Sequence, residues 1–202
     1  MGRENQAIVS AHIVLLKKGA ITRSVKIENP SDKPFYIDTI HSLCVDLPGY
    51  DYDMLGLYGR WVKERALDRY PLHRGIQSIK SKRGSSSHNH NPFTALVSKT
   101  ATEDYGDCYG FNLVYSSNFS IDVEVDGFAS SRLVMGINPE GFNWLLNPGE
   151  EFYSPEAVMI YTNKGIGEMS RMFHRLYSNN LVRGKWKKAK RPLLINNWEG
   201  TG

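Results

Sequence analysis

Residues with chemical capacity fall in four places. The stretch SSSHNHNPF, residues 85–93, sets small hydroxyls beside His88 and His90. A serine activated by a histidine could act as a nucleophile. Ser87 and His88 are adjacent, however, and side chains of sequence neighbours do not reach a nucleophile–base geometry. No elbow glycines flank the serine. Zinc bound by His88 and His90 would lack a third ligand nearby. The segment therefore reads as a hydrogen-bonded polar loop, ended by Pro92 and packed on a neighbouring surface. In FSIDVEVDG, residues 119–127, alternation puts Asp122, Glu124 and Asp126 on one strand face. Paired carboxylates can cleave glycosides, but acids spaced along a regular strand read as a solvated face that discourages edge-to-edge association. Asp51 and Asp53 in GYDYD lack the spacing and closing Glu of a calcium loop. Lastly, Leu193–Ile195 is followed by Asn196, Asn197, Trp198 and Glu199. A short buried-type strand with amides, an indole and a carboxylate at its end has the form of an α/β strand terminus, where such architectures gather functional groups. No metal site, no cofactor and no catalytic residue is expected in these residues.

Composition narrows the function classes. The 202 residues make one large domain or two small ones, and 41% apolar with 23% charged residues is ordinary for a globular protein with a real core. No apolar run approaches the roughly 18 residues of a membrane span, and MGRENQ lacks the apolar region of a signal peptide. Net charge is +4, and much of the excess lies in RGKWKKAKR, residues 183–191. That segment reads as a solvated linker, so no nucleic-acid partner is expected. Cys44 and Cys108 match no metal spacing and lie in apolar, strand-like runs. They read as buried free thiols, which suits a reducing cytoplasm.

The elements that must position these groups are mostly strands. Residues 7–16, 20–28 and 35–47 read as strands separated by turns at Lys17-Lys18-Gly19 and Asn29-Pro30. His12 and His41 fall within them and read as satisfied or half-exposed strand residues, not ligands. Residues 54–70 predict irregularly paired strands, residues 94–98 and 108–116 two further strands, and residues 131–146 a strand, a turn at Asn138-Pro139 and a strand. Residues 150–162 form a last one that Pro155 interrupts. From Ile166 the apolar spacing becomes helical, through Met169, Met172, Phe173, Leu176 and Tyr177, and predicts a helix over 166–179. The expected fold class is mostly β, an antiparallel sandwich with one linking helix near the C-terminus.

Six ordered blocks resemble glycoside hydrolase family 36, the bacterial type of α-galactosidase. They are GLYGRWVKER (56–65), RYPLHRGIQSIKSKRGSSSHNHNPF (69–93), EDYGDCYGFNLVYSSNF (103–119), GINPEGFNW (136–144), LNPGEEFYSPEAVMIYT (146–162) and RPLLINNWEGT (191–201). The resemblance implies that residues 1–163 are part of a β-supersandwich. Residues 164–190 would be a linking helix and basic linker, and residues 191–202 the first strand of a (β/α)8 catalytic barrel. It implies a parent that releases terminal α-galactose from raffinose-type and melibiose-type sugars with retention, through two carboxyls about 5–5.5 Å apart. Both come from later barrel strands in the family and have no counterpart here. The tail departs from the family, which usually continues with Ala-Thr-Tyr-Phe where this chain has Gly200-Thr201-Gly202.

By the same resemblance Trp198 is the one substrate-binding residue, an aromatic wall of the galactose site. The polar loop Arg83–Asn91 would face the pocket mouth. The piece would brace the barrel, shape the rim and support a homo-oligomer. The rival reading is a stand-alone carbohydrate-binding β-sandwich, which would need a polar and aromatic groove away from Trp198.

Overall fold

The computed structural model describes residues 7–16 and 19–197. Its strands are β1 (Ile8–Leu15), β2 (Ala20–Glu28), β3 (Phe35–Ile37), β4 (His41–Leu47), β5 (Tyr52–Arg60), β6 (Lys63–Pro71), β7 (Gly75–Lys80), β8 (His90–Ser98), β9 (Cys108–Val114), β10 (Phe119–Val125), β11 (Ser131–Ile137), β12 (Trp144–Leu146), β13 (Glu151–Tyr153) and β14 (Glu156–Thr162). The helix α1 spans Gly165–Leu176 and runs into a π turn, Tyr177–Leu181.

Every strand pairing is antiparallel. An eight-stranded sheet runs β1-β2-β14-β9-β8-β5-β6, with β13 also on β2; a second sheet runs β4-β11-β10-β7, and β12 and β3 form a ribbon. The large sheet is covered twice in its middle, and the period-2 alternation of its strands shows how. Met54, Leu96, Phe111 and Leu113 point to the four-stranded sheet, where they meet Phe119, Ile121, Leu133 and Met135. Leu55, Ala95, Val97 and Ile160 point the other way, to Met169 and Phe173 of α1. Strands buried on both faces lose the polar alternation of a half-exposed sheet, hence the unbroken TALV of β8. The helix sits close because Gly110 has no side chain: a Cβ there would lie 2.6 Å from the Phe173 ring. The resulting architecture is the antiparallel β-supersandwich with one helix near the C-terminus.

Several sequence expectations need correction. Residues 35–47 are two strands. The chain bends at 38–40, so Phe35–Ile37 pairs with β12 while β4 pairs with β11. The bend nestles against Gly136, where a Cβ would come within 2.6 Å of the Ile40 carbonyl, and the β4–β11 register shifts there. Cys44 is exposed, because alternation along β4 sends Leu43 inward and Cys44 outward. Cys108 is a buried free thiol, as expected, and burial pushes its pKa up to about 11. The polar loop does not end at Pro92, since β8 starts at His90. Proline lacks the N–H a ladder needs, and Pro92 is accommodated opposite the register shift between Gly56 and Tyr58. The helix ends at Leu176, earlier than expected, and Ser178-Asn179-Asn180 lies in the π turn. Leu193–Ile195, expected as a barrel strand, is irregular in this chain taken alone and is 90–99% exposed. No strand among the described residues pairs with it, and an unpaired strand has no stability of its own in water.

Candidate functional site

A groove of about 710 Å³ lies between α1 with its π turn and the large sheet. Leu57, Leu67, Phe93 and Leu181 give it apolar walls, and Asn112 and Tyr177 its polar floor. These polar groups already serve one another. The Tyr177 hydroxyl donates to Asn112 Oδ1 at 3.0 Å, and Asn112 Nδ2 donates to the Pro92 carbonyl at 2.8 Å. At the mouth Asn91 Nδ2 donates to the Leu57 carbonyl at 3.1 Å. Burial pushes the Tyr177 pKa up to about 12, against a small opposing effect of Arg65. On the outer side of α1, Arg171 and Arg175 both donate to Glu168 and hold its carboxyl below the usual range. The groove thus offers apolar contact and an internally satisfied hydrogen-bond chain. It presents no pair of carboxylates across a gap.

The groups singled out in the sequence are dispersed. In the loop before β8, Arg83 Nη1 donates to Asn89 Oδ1 at 3.1 Å and the Asn89 N–H donates to Ser87 Oγ at 3.3 Å. The loop is tied to residues 116–118: Gly84 N–H donates to Asn118 Oδ1 at 2.7 Å and Ser117 Oγ to the Gly84 carbonyl at 2.9 Å. His90 packs edge-on to Tyr58 with centroids 5.4 Å apart, and burial lowers its pKa, with Arg83 adding to the effect. Ser87 and His90 form an isolated antiparallel backbone bridge, and no side-chain hydrogen bond joins a serine to a histidine there among the described residues. Only Asn91, at the loop's end, lines the groove.

Two of the three acids on β10, Asp122 and Asp126, are occupied with structure. Asp122 accepts from Ser78 and Ser120 and lies 3.4 Å from Lys80 Nζ. Asp126 Oδ1 accepts the N–H groups of Phe128 and Ser130, each at 2.9 Å, and so closes the turn into β11. Asp51 pairs with Lys99, and Asp53 with Arg69 at 2.7 Å. No group of three or more His, Cys, Asp or Glu side chains suited to a metal occurs among the described residues. Trp198 lies outside the described residues, of which Asn196 and Asn197 are the last.

Two functional-looking arrangements escaped the sequence reading. One is the Asn112–Tyr177 pair, separated by 65 positions. The other is Arg69, whose guanidinium reaches the carbonyls of Ser98, Lys99 and Ala101 besides Asp53. Neither has a local signature, because each depends on strands brought together by the sheet.

Comparison with known proteins gives this architecture its context. The model of the glycosyl hydrolase family 36 N-terminal domain matches residues 4–147, and the melibiase model matches residues 151–202. α-Galactosidase AgaA of Geobacillus stearothermophilus is 48% identical over 185 residues, 92% of this chain and 25% of that protein. α-Galactosidase 2 of Hypocrea jecorina is 42% identical over 202 residues, 98% of this chain and 27% of that protein. A crystal structure of an AgaA variant in complex with stachyose superposes with a TM-score of 0.92 at 46% identity, over 96% of this chain and 27% of that one. The α-galactosidase from Lactobacillus brevis superposes at 0.89 and 39% identity, over 95% and 26%. The chain spans about a quarter of the length of these relatives. Its sheets, its helix and the family match over residues 4–147 agree, and the chain belongs to glycosyl hydrolase family 36 through that family's N-terminal domain.

Proposed function

We propose that this chain serves as the amino-terminal β-domain of a retaining α-galactosidase, acting on raffinose-type and melibiose-type sugars, and carries none of the catalytic carboxylates. One observation carries the reading. The chain matches α-galactosidases closely over nearly all of its own length, yet Asp122, Asp126, Asp51 and Asp53 are spent on a turn and on ion pairs. Residues 1–163 then form part of the supersandwich, residues 164–190 the linking helix and basic linker, and residues 191–202 the first strand of a catalytic barrel. The exposed Leu193–Ile195 supports this last assignment, since three apolar side chains gain burial only when flanking strands cover them.

In this reading Trp198 walls the galactose pocket, where an indole face suits the apolar C–H face of a sugar. The Arg83–Asn91 loop, tied down at residues 116–118, forms part of the rim. The domain braces the barrel and contributes to a homo-oligomer. The compartment is the cytoplasm, in keeping with an exposed unpaired thiol at Cys44. No helix among the described residues is long and apolar enough to cross a membrane.

The test is an assay with a chromogenic α-galactoside. The 202-residue chain alone is expected to give no turnover. A protein carrying this chain followed by a family barrel is expected to turn over, and Trp198→Ala in it to raise KM more than it lowers kcat. Turnover by the chain alone, surviving purification controls, would overturn the reading. Calorimetric heats with raffinose or melibiose for the chain alone would favour a stand-alone sugar-binding module instead.

A further inference from the structure

The first turn of α1 is poorly specified by its own residues. Lys164 stands at the N-cap and gives no side-chain cap, and a cation there opposes the helix dipole. Gly165 and Gly167 are weak helix formers. Glu168, the acid of the turn, is engaged with Arg171 and Arg175. The first N–H groups of a helix have no partner within it. Here three in a row are taken by carbonyls of the loop between β8 and β9. Gly165 N–H donates to the Gly106 carbonyl at 3.1 Å, Ile166 N–H to that of Thr102 at 2.9 Å and Gly167 N–H to that of Glu103 at 2.9 Å. The approach is close: Gly165 has φ +76°, and a Cβ on it would lie 2.5–2.6 Å from backbone atoms of Thr102, Glu103 and Tyr105.

We infer that Arg69 on β6 is the positioning residue for this docking, and that α1 is a strap whose N-terminal fastening it controls. The Arg69 guanidinium donates to the carbonyls of Ser98, Lys99 and Ala101 at 3.1, 2.8 and 2.8 Å, and to Asp53 Oδ2 at 2.7 Å. Residues 98–101 are the turn that launches the docking loop, closed by the Ala101 N–H on the Ser98 carbonyl at 2.8 Å. Thr102, which receives Ile166, follows Ala101 directly, so a grip on the Ala101 carbonyl fixes the peptide that carries Thr102. The loop holds its own shape through Thr102 N–H on the Tyr105 carbonyl at 2.8 Å, and so passes that position on to Glu103 and Gly106. Arg69 and the loop lie within residues 4–147, matched by the N-terminal-domain model, whereas α1 lies within residues 151–202, matched by the melibiase model. The grip therefore sets how the second segment sits on the sheet of the first. Without it, three carbonyls and Asp53 turn to water and α1 opens from its first turn, while Tyr177 still holds the far end through Asn112.

The experiment is residue-resolved amide hydrogen exchange on the 202-residue chain. In the wild type the amides of Gly165, Ile166 and Gly167 are expected to be protected, although first-turn amides ordinarily exchange freely. Arg69→Met is expected to speed exchange at these three by about tenfold or more, the factor that one lost hydrogen bond to a charged group is worth, and to leave β10 and β11 unchanged. Arg69→Lys keeps a cation beside Asp53, but an ammonium does not span three carbonyls and a carboxylate at once. It is expected to leave the first turn as open as Arg69→Met does, and it serves as the test should Arg69→Met fail to fold. Free exchange at Gly165–Gly167 in the wild type would overturn the inference. So would equal acceleration across β10 and β11, which would make Arg69 a support of the whole sheet and not of α1. Full protection in Arg69→Lys would overturn it too, because charge alone would then suffice.

Discussion

The middle of the eight-stranded sheet and its β1 end are built from the same residues and have opposite fates. In β8, Ala95, Leu96 and Val97 are fully buried, under α1 on one face and the four-stranded sheet on the other. In β1, Val9, Ile13 and Leu15 stand mostly in water. Side-chain type does not separate the two; cover does. The opposite end, β6, shows how an edge is made safe. Its KERALDRYP is largely charged, and Arg69 clamps it to Asp53 and to the carbonyls after β8. The β6 end is therefore blunted by its own charges, whereas β1 carries apolar side chains that nothing among the described residues covers.

The contrast is broken most severely at the centre. Phe111 is fully buried between the sheets. Phe111→Ala is expected to cost about 3–5 kcal/mol in urea unfolding, from lost burial and the cavity left behind. A cost under about 1 kcal/mol would mean that the two sheets are not packed as described. Next comes the helix side. Gly110→Val would drive a side chain into Phe173 and Met169. It is expected to cost about 1–3 kcal/mol and to speed amide exchange in α1 more than in β10. Uniform exchange across both would sink the idea that α1 covers the sheet as a separable layer.

A smaller effect lies on the groove floor. The Tyr177 hydroxyl donates to Asn112, and Tyr177→Phe is expected to cost about 1 kcal/mol near neutral pH. The sign with pH follows from burial. The folded-state pKa is raised to about 12 from 10.0, so the folded protein holds the phenolic proton more tightly than the unfolded chain. That stabilisation is complete below pH 10.0 and is lost as pH rises towards about 12. Denaturant midpoints of wild type and Tyr177→Phe should converge across that interval. Parallel curves would place Tyr177 in water.

Much of this was legible in the sequence. Turns at Asn29-Pro30 and Asn138-Pro139, the interruption at Pro155 and the period-2 runs between them mark out the strands because these signals are local. The helical face from Ile166 to Tyr177 is legible for the same reason. What failed depends on partners. The split of residues 35–47 is set by two strands claiming two halves of one apolar run. The outward Cys44 follows from parity along β4, which a single misplaced strand start reverses. The π turn at Tyr177–Leu181 and the Asn112–Tyr177 hydrogen bond arise from how α1 lies on β9, which no local pattern encodes. The resemblance supplied Trp198, and composition alone did not single it out from the other Trp residues.

The least costly substitution is the most informative about the β1 end. Ile13 is 66% exposed. Ile13→Ser removes little buried area from an isolated chain, so its unfolding free energy in dilute solution is expected to change by no more than about 0.5 kcal/mol. A cost as large as that of Phe111→Ala would mean that β1 is covered in the isolated chain as β8 is, and that the two regions of the sheet do not differ in cover.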